Sequence, residues 1–101
     1  MDSNTPILLV DDSLAMRQTI KSTLLRLGYN SIFVATNGGD ALNQIRDALQ
    51  ANAPIQLMFL DWNMPGIDGF EVLSVCRKQL GLKDMAIIML TAISEIGRAH
   101  V

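Results

Sequence analysis

With 101 residues, 8 Lys+Arg against 10 Asp+Glu and a formal net charge of -2, the chain has room for one compact domain and no more. Its 50% hydrophobic and 18% charged content excludes a disordered or fibrous chain, and the balanced charge without a Lys/Arg cluster excludes a direct nucleic-acid footprint. No apolar run approaches the ~20 residues of a membrane span, the start Met1-Asp2-Ser3-Asn4-Thr5-Pro6 lacks a signal peptide's basic and apolar stretches, and a lone Cys76 makes neither an internal disulfide nor a zinc site, so no membrane partner and a cytoplasmic location are expected.

Ile7-Leu8-Leu9-Val10, stopped by Asp11-Asp12, reads as a strand buried on both faces. Ser13 is a good N-cap, and Met16, Ile20, Leu24 and Leu27 recur at helical spacing until Gly28, which predicts a helix of about four turns with those four residues inward. Ile32-Phe33-Val34-Ala35 is a second strand; Leu42, Ile45, Ala48 and Leu49 mark a second helix entered from Asn37-Gly38-Gly39-Asp40 and ended before Pro54. Leu57-Met58-Phe59-Leu60 is a third apolar strand, again stopped by an acid, Asp61, and followed by a loop from Trp62 to Gly69. A third helix follows with Val72, Leu73, Cys76 and Leu80 inward, then a fourth strand, Ala86-Ile87-Ile88-Met89-Leu90, stopped by Thr91. Strands alternating with helices at this spacing predict right-handed βαβ units, and so an α/β fold with an open, doubly wound parallel sheet.

In such a sheet the ligand crevice lies beyond the carboxyl ends of the strands. Asp11 and Asp12 follow the first strand, Asp61 the third and Thr91 the fourth. If the first and third strands are neighbours, three carboxylates share a small volume, their repulsion is relieved by a divalent cation, and hard oxygen ligands favour magnesium. One carboxylate is then able to attack a phosphoryl group and carry it as an acyl phosphate. Each residue also has a plainer role: Asp11 and Asp12 at the positive end of the first helix, Asp61 capping a loop, Thr91 ending a strand. Their grouping at one end of three apolar strands favours chemistry. Gly38-Gly39 is no dinucleotide loop, and Asp61-x-Asn63-x-x-Gly66 fails as a calcium loop because Val72 stands where a bidentate Glu is required.

Ile7-Leu8-Leu9-Val10-Asp11-Asp12-Ser13, then Asp61-Trp62-Asn63-Met64-Pro65-Gly66-Ile67-Asp68-Gly69, then Met89-Leu90-Thr91-Ala92, at these separations, resemble the receiver domain of two-component response regulators. Asp61-Trp62-Asn63-Met64-Pro65 with Ser13-x-x-Met16-Arg17 is most similar to the stand-alone chemotaxis members, and the likeness runs from about residue 6 to residue 94. The resemblance implies a flavodoxin-like sheet of strand order 2-1-3-4 and a phosphorylation-activated signalling switch in a phosphorelay, rather than a turnover enzyme. It implies a histidine kinase as phosphodonor, a downstream target protein, and Mg2+ as cofactor. By the same resemblance Asp61 is the phosphoacceptor, Asp12, Asp61 and the Asn63 carbonyl hold the metal, and Asp11 is an outer acid orienting metal-bound water. Thr91 is then the switch hydroxyl and Ala92 gives a backbone N–H to the phosphoryl oxygens.

The chain departs from that family in lacking the lysine that ends a fifth strand, the aromatic switch residue of that strand, most of the fourth helix and the last helix; Ile93 is apolar where the family tunes dephosphorylation. A single incomplete receiver domain over residues 1–101 is therefore expected. Ile96-Gly-Arg-Ala-His-Val101 reverse-translates as ATC GGA AGA GCA CAC GTC, the start of a common sequencing-library adapter, so residues 95–101 are expected to be a non-native tail. Two rival readings are a pseudo-receiver that does not switch and a magnesium-dependent aspartyl phosphohydrolase. The second typically spaces nucleophile and general acid two residues apart after the first strand, whereas Asp11 and Asp12 are adjacent here.

Overall fold

Four short apolar runs pair side by side in a computed structural model that describes residues 2–90. In chain order the elements are β1 (Ile7–Val10), α1 (Leu14–Arg26), β2 (Ile32–Ala35), α2 (Gly38–Gln50), β3 (Leu57–Asp61), α3 (Gly69–Ser74), a π-helical turn (Val75–Gln79) and β4 (Ala86–Leu90). The sheet order is β2-β1-β3-β4, every pair parallel, with Ile7 level with both Ile32 and Leu57, and Leu57 level with Ala86. This is the doubly wound parallel sheet expected from the alternation of strands and helices, in the flavodoxin-like order that the resemblance implies. Thr91, Ala92, Ile93 and the tail 95–101 lie outside the described residues.

Side chains alternate across the sheet and divide the core into two unequal layers. Leu8, Val10, Met58 and Leu60 face α2 and α3 and are buried with Leu42, Ile45, Val72 and Cys76. Each large aliphatic side chain fully removed from water there contributes about 1.5–3 kcal/mol before conformational costs. Ile7, Leu9 and Leu57 face α1, where Leu24 is the one buried helix residue. Ile88, level with Phe59 on that same face, is exposed.

The expected inward stripe on α1 is therefore corrected. Leu24 is buried and Ile20 packs against the second layer, but Met16 and Leu27 are exposed. Among the described residues α1 has no helix beside it on this face, and it meets the strands through Ile20 and Leu24. Its ends are set by local chemistry: the Ser13 Oγ accepts from the Met16 N–H at 3.2 Å, and Gly28 stops the helix at φ +96°.

The third helix also departs from the periodic reading. It widens at Val75–Gln79, where the Leu80 N–H donates to the Val75 carbonyl at 2.9 Å, five residues back. Val72 and Cys76 are buried as expected, while Leu73 and Leu80 are only partly covered. Burial pushes the Cys76 thiol up from its ordinary value, which suits an inert core residue. None of the helices among the described residues is long and apolar enough to cross a membrane.

Candidate functional site

The strand register builds the site. Val10 is level with Leu60, so Asp11, the next residue after β1, stands beside Asp61, which closes β3. Asp61 is still paired, level with Leu90 of β4, so its backbone is held by the ladder while its side chain sits at the sheet's carboxyl edge. One carboxylate oxygen from each of Asp11, Asp12 and Asp61 lies within 4.8 Å of the other two. The structure thus brings together all three acids that the sequence places at strand ends.

The three differ in environment. Asp11 is 6% exposed, Asp61 half-buried and Asp12 exposed. The Asp11 Oδ1 accepts from the Ser13 N–H at 2.7 Å, and the Asp61 Oδ1 accepts from the Asn63 N–H at 3.1 Å. The plainer roles of Asp11 at a helix start and Asp61 in a loop are real, then, and they serve the cluster by aiming those two carboxylates. Arg17 of α1 reaches back to donate from Nη1 to the Asp11 carbonyl at 2.7 Å. A six-residue reach from a helix to the turn before it leaves no periodic signal.

Burial, above all, pushes the Asp61 carboxyl up from its ordinary value; the negative charges of Asp11 and Asp12 and a hydrogen bond with Asp12 act in the same direction, while the Asn63 N–H opposes them. Folded Asp61 therefore holds its proton to higher pH than unfolded Asp61 does. Stability falls as pH rises from the ordinary aspartate range through the raised folded value. Without metal, Asp61→Asn is expected to melt above the wild type at neutral pH, and the gain is expected to vanish in acid where both states are protonated. Thermal melts across that range in a chelator check this; an Asn variant that melts lower at neutral pH contradicts it.

Beyond Asp61 the loop to α3 is seated by two close approaches. A Cβ on Gly69 would lie 2.3 Å from the Asp61 carbonyl oxygen and 2.9 Å from the Trp62 Cα, and one on Gly38 would lie 2.4 Å from the Ile67 carbonyl oxygen. The start of α3 thus presses on the phosphoacceptor candidate's own backbone, and the start of α2 presses on the loop. The Asp68 side chain caps α3 by accepting from the Glu71 N–H at 2.9 Å. Met64 is buried and anchors the loop in the larger core layer. Thr91 and Ala92 lie outside the described residues, although Leu90 before them is level with Asp61.

The family model of the response regulator receiver domain matches residues 7–100. This chain belongs to the response regulator receiver domain family. The receiver domain is 40% identical over 95 residues to the chemotaxis protein CheY1 of Helicobacter pylori, an overlap of 94% of this chain and 72% of that one. Among solved structures, chemotaxis protein CheY4 of Vibrio cholerae superposes with a TM-score of 0.73 at 33% identity, over 95% of this chain and 79% of that chain. The CheX-CheY-BeF3-Mg2+ complex of Borrelia burgdorferi matches with a TM-score of 0.75 at 28% identity, over 86% of this chain and 61% of that chain. The receiver domain is accordingly a CheY-like signalling switch of the kind that phosphorylation activates. Neither the pseudo-receiver nor the phosphohydrolase reading gains support from the sheet, the acids or these likenesses.

Proposed function

We propose that Asp61 is the phosphoacceptor of this switch, taking a phosphoryl group from a histidine kinase while Asp12, Asp61 and the Asn63 carbonyl hold Mg2+ and Asp11 orients metal-bound water. The observation that carries the reading is the convergence of the three carboxylates within 4.8 Å from the ends of two neighbouring strands. That donor set fits the ion: magnesium takes hard oxygen ligands, commonly one or two carboxylates with several waters, and clustered carboxylates need a counter-charge. The Borrelia protein's structure contains BeF3 and Mg2+, which supports the same ligand class here. When bound, the ion supplies positive charge that offsets the carboxylates and the phosphoryl oxygens.

The chain's own residues do the rest. An Asp61 carboxylate oxygen forms a bond to phosphorus, and the bond to the donor's leaving nitrogen breaks with its electron pair going to that nitrogen, leaving an acyl phosphate on Asp61. The Asn63 N–H holds the other geometry of that carboxylate fixed, so the nucleophile needs little reorganisation. Thr91 and Ala92, which follow Leu90 in the chain, are proposed to give a hydroxyl and a backbone N–H to the phosphoryl oxygens. The output is a changed surface that a downstream protein reads, and a cytoplasmic location belongs to the same reading on the strength of the likeness to chemotaxis regulators.

Trp62, the chain's one tryptophan, adjoins Asp61, so its fluorescence is expected to report magnesium. Titration should give a saturable change in the wild type, and Asp12→Ala should weaken binding by about tenfold or more, since loss of even an outer-shell partner commonly costs about 10–100-fold. An equal response in both proteins, or none in the folded wild type, removes the metal from the site.

A further inference from the structure

The loop between β3 and α3 must present the Asn63 main chain beside the Asp61 carboxylate and then return the chain so that α3 starts against the Asp61 carbonyl. Trp62 and its neighbours hold both ends of that path. The Trp62 N–H donates to the Leu90 carbonyl at 3.4 Å, and the Gly69 N–H donates to the Trp62 carbonyl at 3.2 Å. Beside that closure the rings of Trp62 and Phe70 meet edge to face, centroids 5.6 Å apart and planes at 74°. Trp62 and Phe70 are 46% and 58% exposed, so burial in the core is not what holds the two rings together. They join the first residue of the loop to the first turn of α3, across the point where Gly69 touches the Asp61 backbone.

We infer that Phe70 is a positioning residue for the Asp61 site: acting through Trp62, its ring holds the β3–α3 loop closed so that the Asp61 carboxylate and the Asn63 carbonyl stay in register for a metal ion. The inference rests on the magnesium reading proposed above. Edge-to-face aromatic pairs shift an equilibrium by about two- to tenfold beyond the area they bury. Loop closure and metal binding share the same backbone, so that factor appears in metal affinity.

Calorimetric titration of magnesium chloride into the full chain tests this, and it does not depend on Trp62 fluorescence, which removal of Phe70 alters directly. Phe70→Ala is expected to bind Mg2+ about two- to tenfold more weakly than wild type, and Phe70→Leu, which keeps apolar bulk without a ring edge, is expected to be weakened in the same direction. Phe70→Tyr is expected to bind as wild type does. So is Phe33→Ala, which removes a ring of similar exposure, 46%, on β2. Metal-free melts establish that each variant folds; if Phe70→Ala does not, the Leu and Tyr variants decide. Wild-type affinity in Phe70→Leu, failure of Tyr to restore it, or an equal loss in Phe33→Ala overturns the positioning role. No binding in the wild type overturns the magnesium reading itself, and is distinguishable because every variant is then silent too.

Discussion

Gly69→Ala is expected to lower the melting temperature by roughly 4–24 °C, a large effect for a single methyl group. The added Cβ would stand 2.3 Å from the Asp61 carbonyl oxygen, 2.9 Å from the Trp62 Cα and 3.1 Å from the Asp61 carbonyl carbon. All three are backbone atoms, so no side chain can rotate away; either the end of β3 or the start of α3 must move. Overpacking of this kind costs about 1–3 kcal/mol, and in a domain this small each kcal/mol shifts the melt by about 4–8 °C. Gly66→Ala is the matched control. Gly66 has φ +75° and open space around its missing Cβ, so its substitution carries only left-handed backbone strain, about 1–2 kcal/mol. Gly69→Ala should therefore melt lower than Gly66→Ala and also lose magnesium affinity, because the displaced backbone carries Asp61. A Gly69→Ala chain that melts with the wild type contradicts the close seating of α3 on the site.

Much of this architecture was legible in the residues. The bounds of β1, β2 and β4 coincide with the apolar runs; β1 is buried along its whole length, as a strand covered on both faces should be, whereas β2 and β4, the outer strands among the described residues, leave Phe33, Val34 and Ile88 exposed. β3 runs one residue further and takes in Asp61, since backbone pairing with β4 continues after apolarity stops. The adjacency of β1 and β3, on which the cluster depends, is not written in hydrophobic periodicity; strand order came only with the family resemblance. Met16 and Leu27 were misread for a related reason: period alone says which residues share a helix face, not how much of that face a sheet covers. The π-helical turn after Ser74 was invisible because Val72 and Cys76 keep an i, i+4 spacing whether or not the following turn widens.

At the site itself the acids were legible and their supports were not. Asp11, Asp12 and Asp61 announce themselves as charges ending apolar strands. Gly38 and Gly69 act through the absence of a side chain against a backbone distant in sequence, and the Arg17 contact with the Asp11 carbonyl arises only once the turn is formed. The Trp62 and Phe70 pair is joined across a loop and belongs to no single helix face or strand, so periodicity does not reveal it.

The assignment of Asp61 stands or falls on where a phosphoryl group goes. The full chain is incubated with magnesium and a small phosphodonor such as acetyl phosphate, then treated with borohydride, which reduces an aspartyl acyl phosphate to homoserine, and the modified residue is read by peptide mass spectrometry. Reduction is expected at Asp61 alone in the wild type, to require magnesium, and to be absent from Asp61→Asn, whose amide offers no carboxylate nucleophile. Labelling of Asp61→Asn at the wild-type level, or homoserine at Asp11 or Asp12 in place of residue 61, would contradict it.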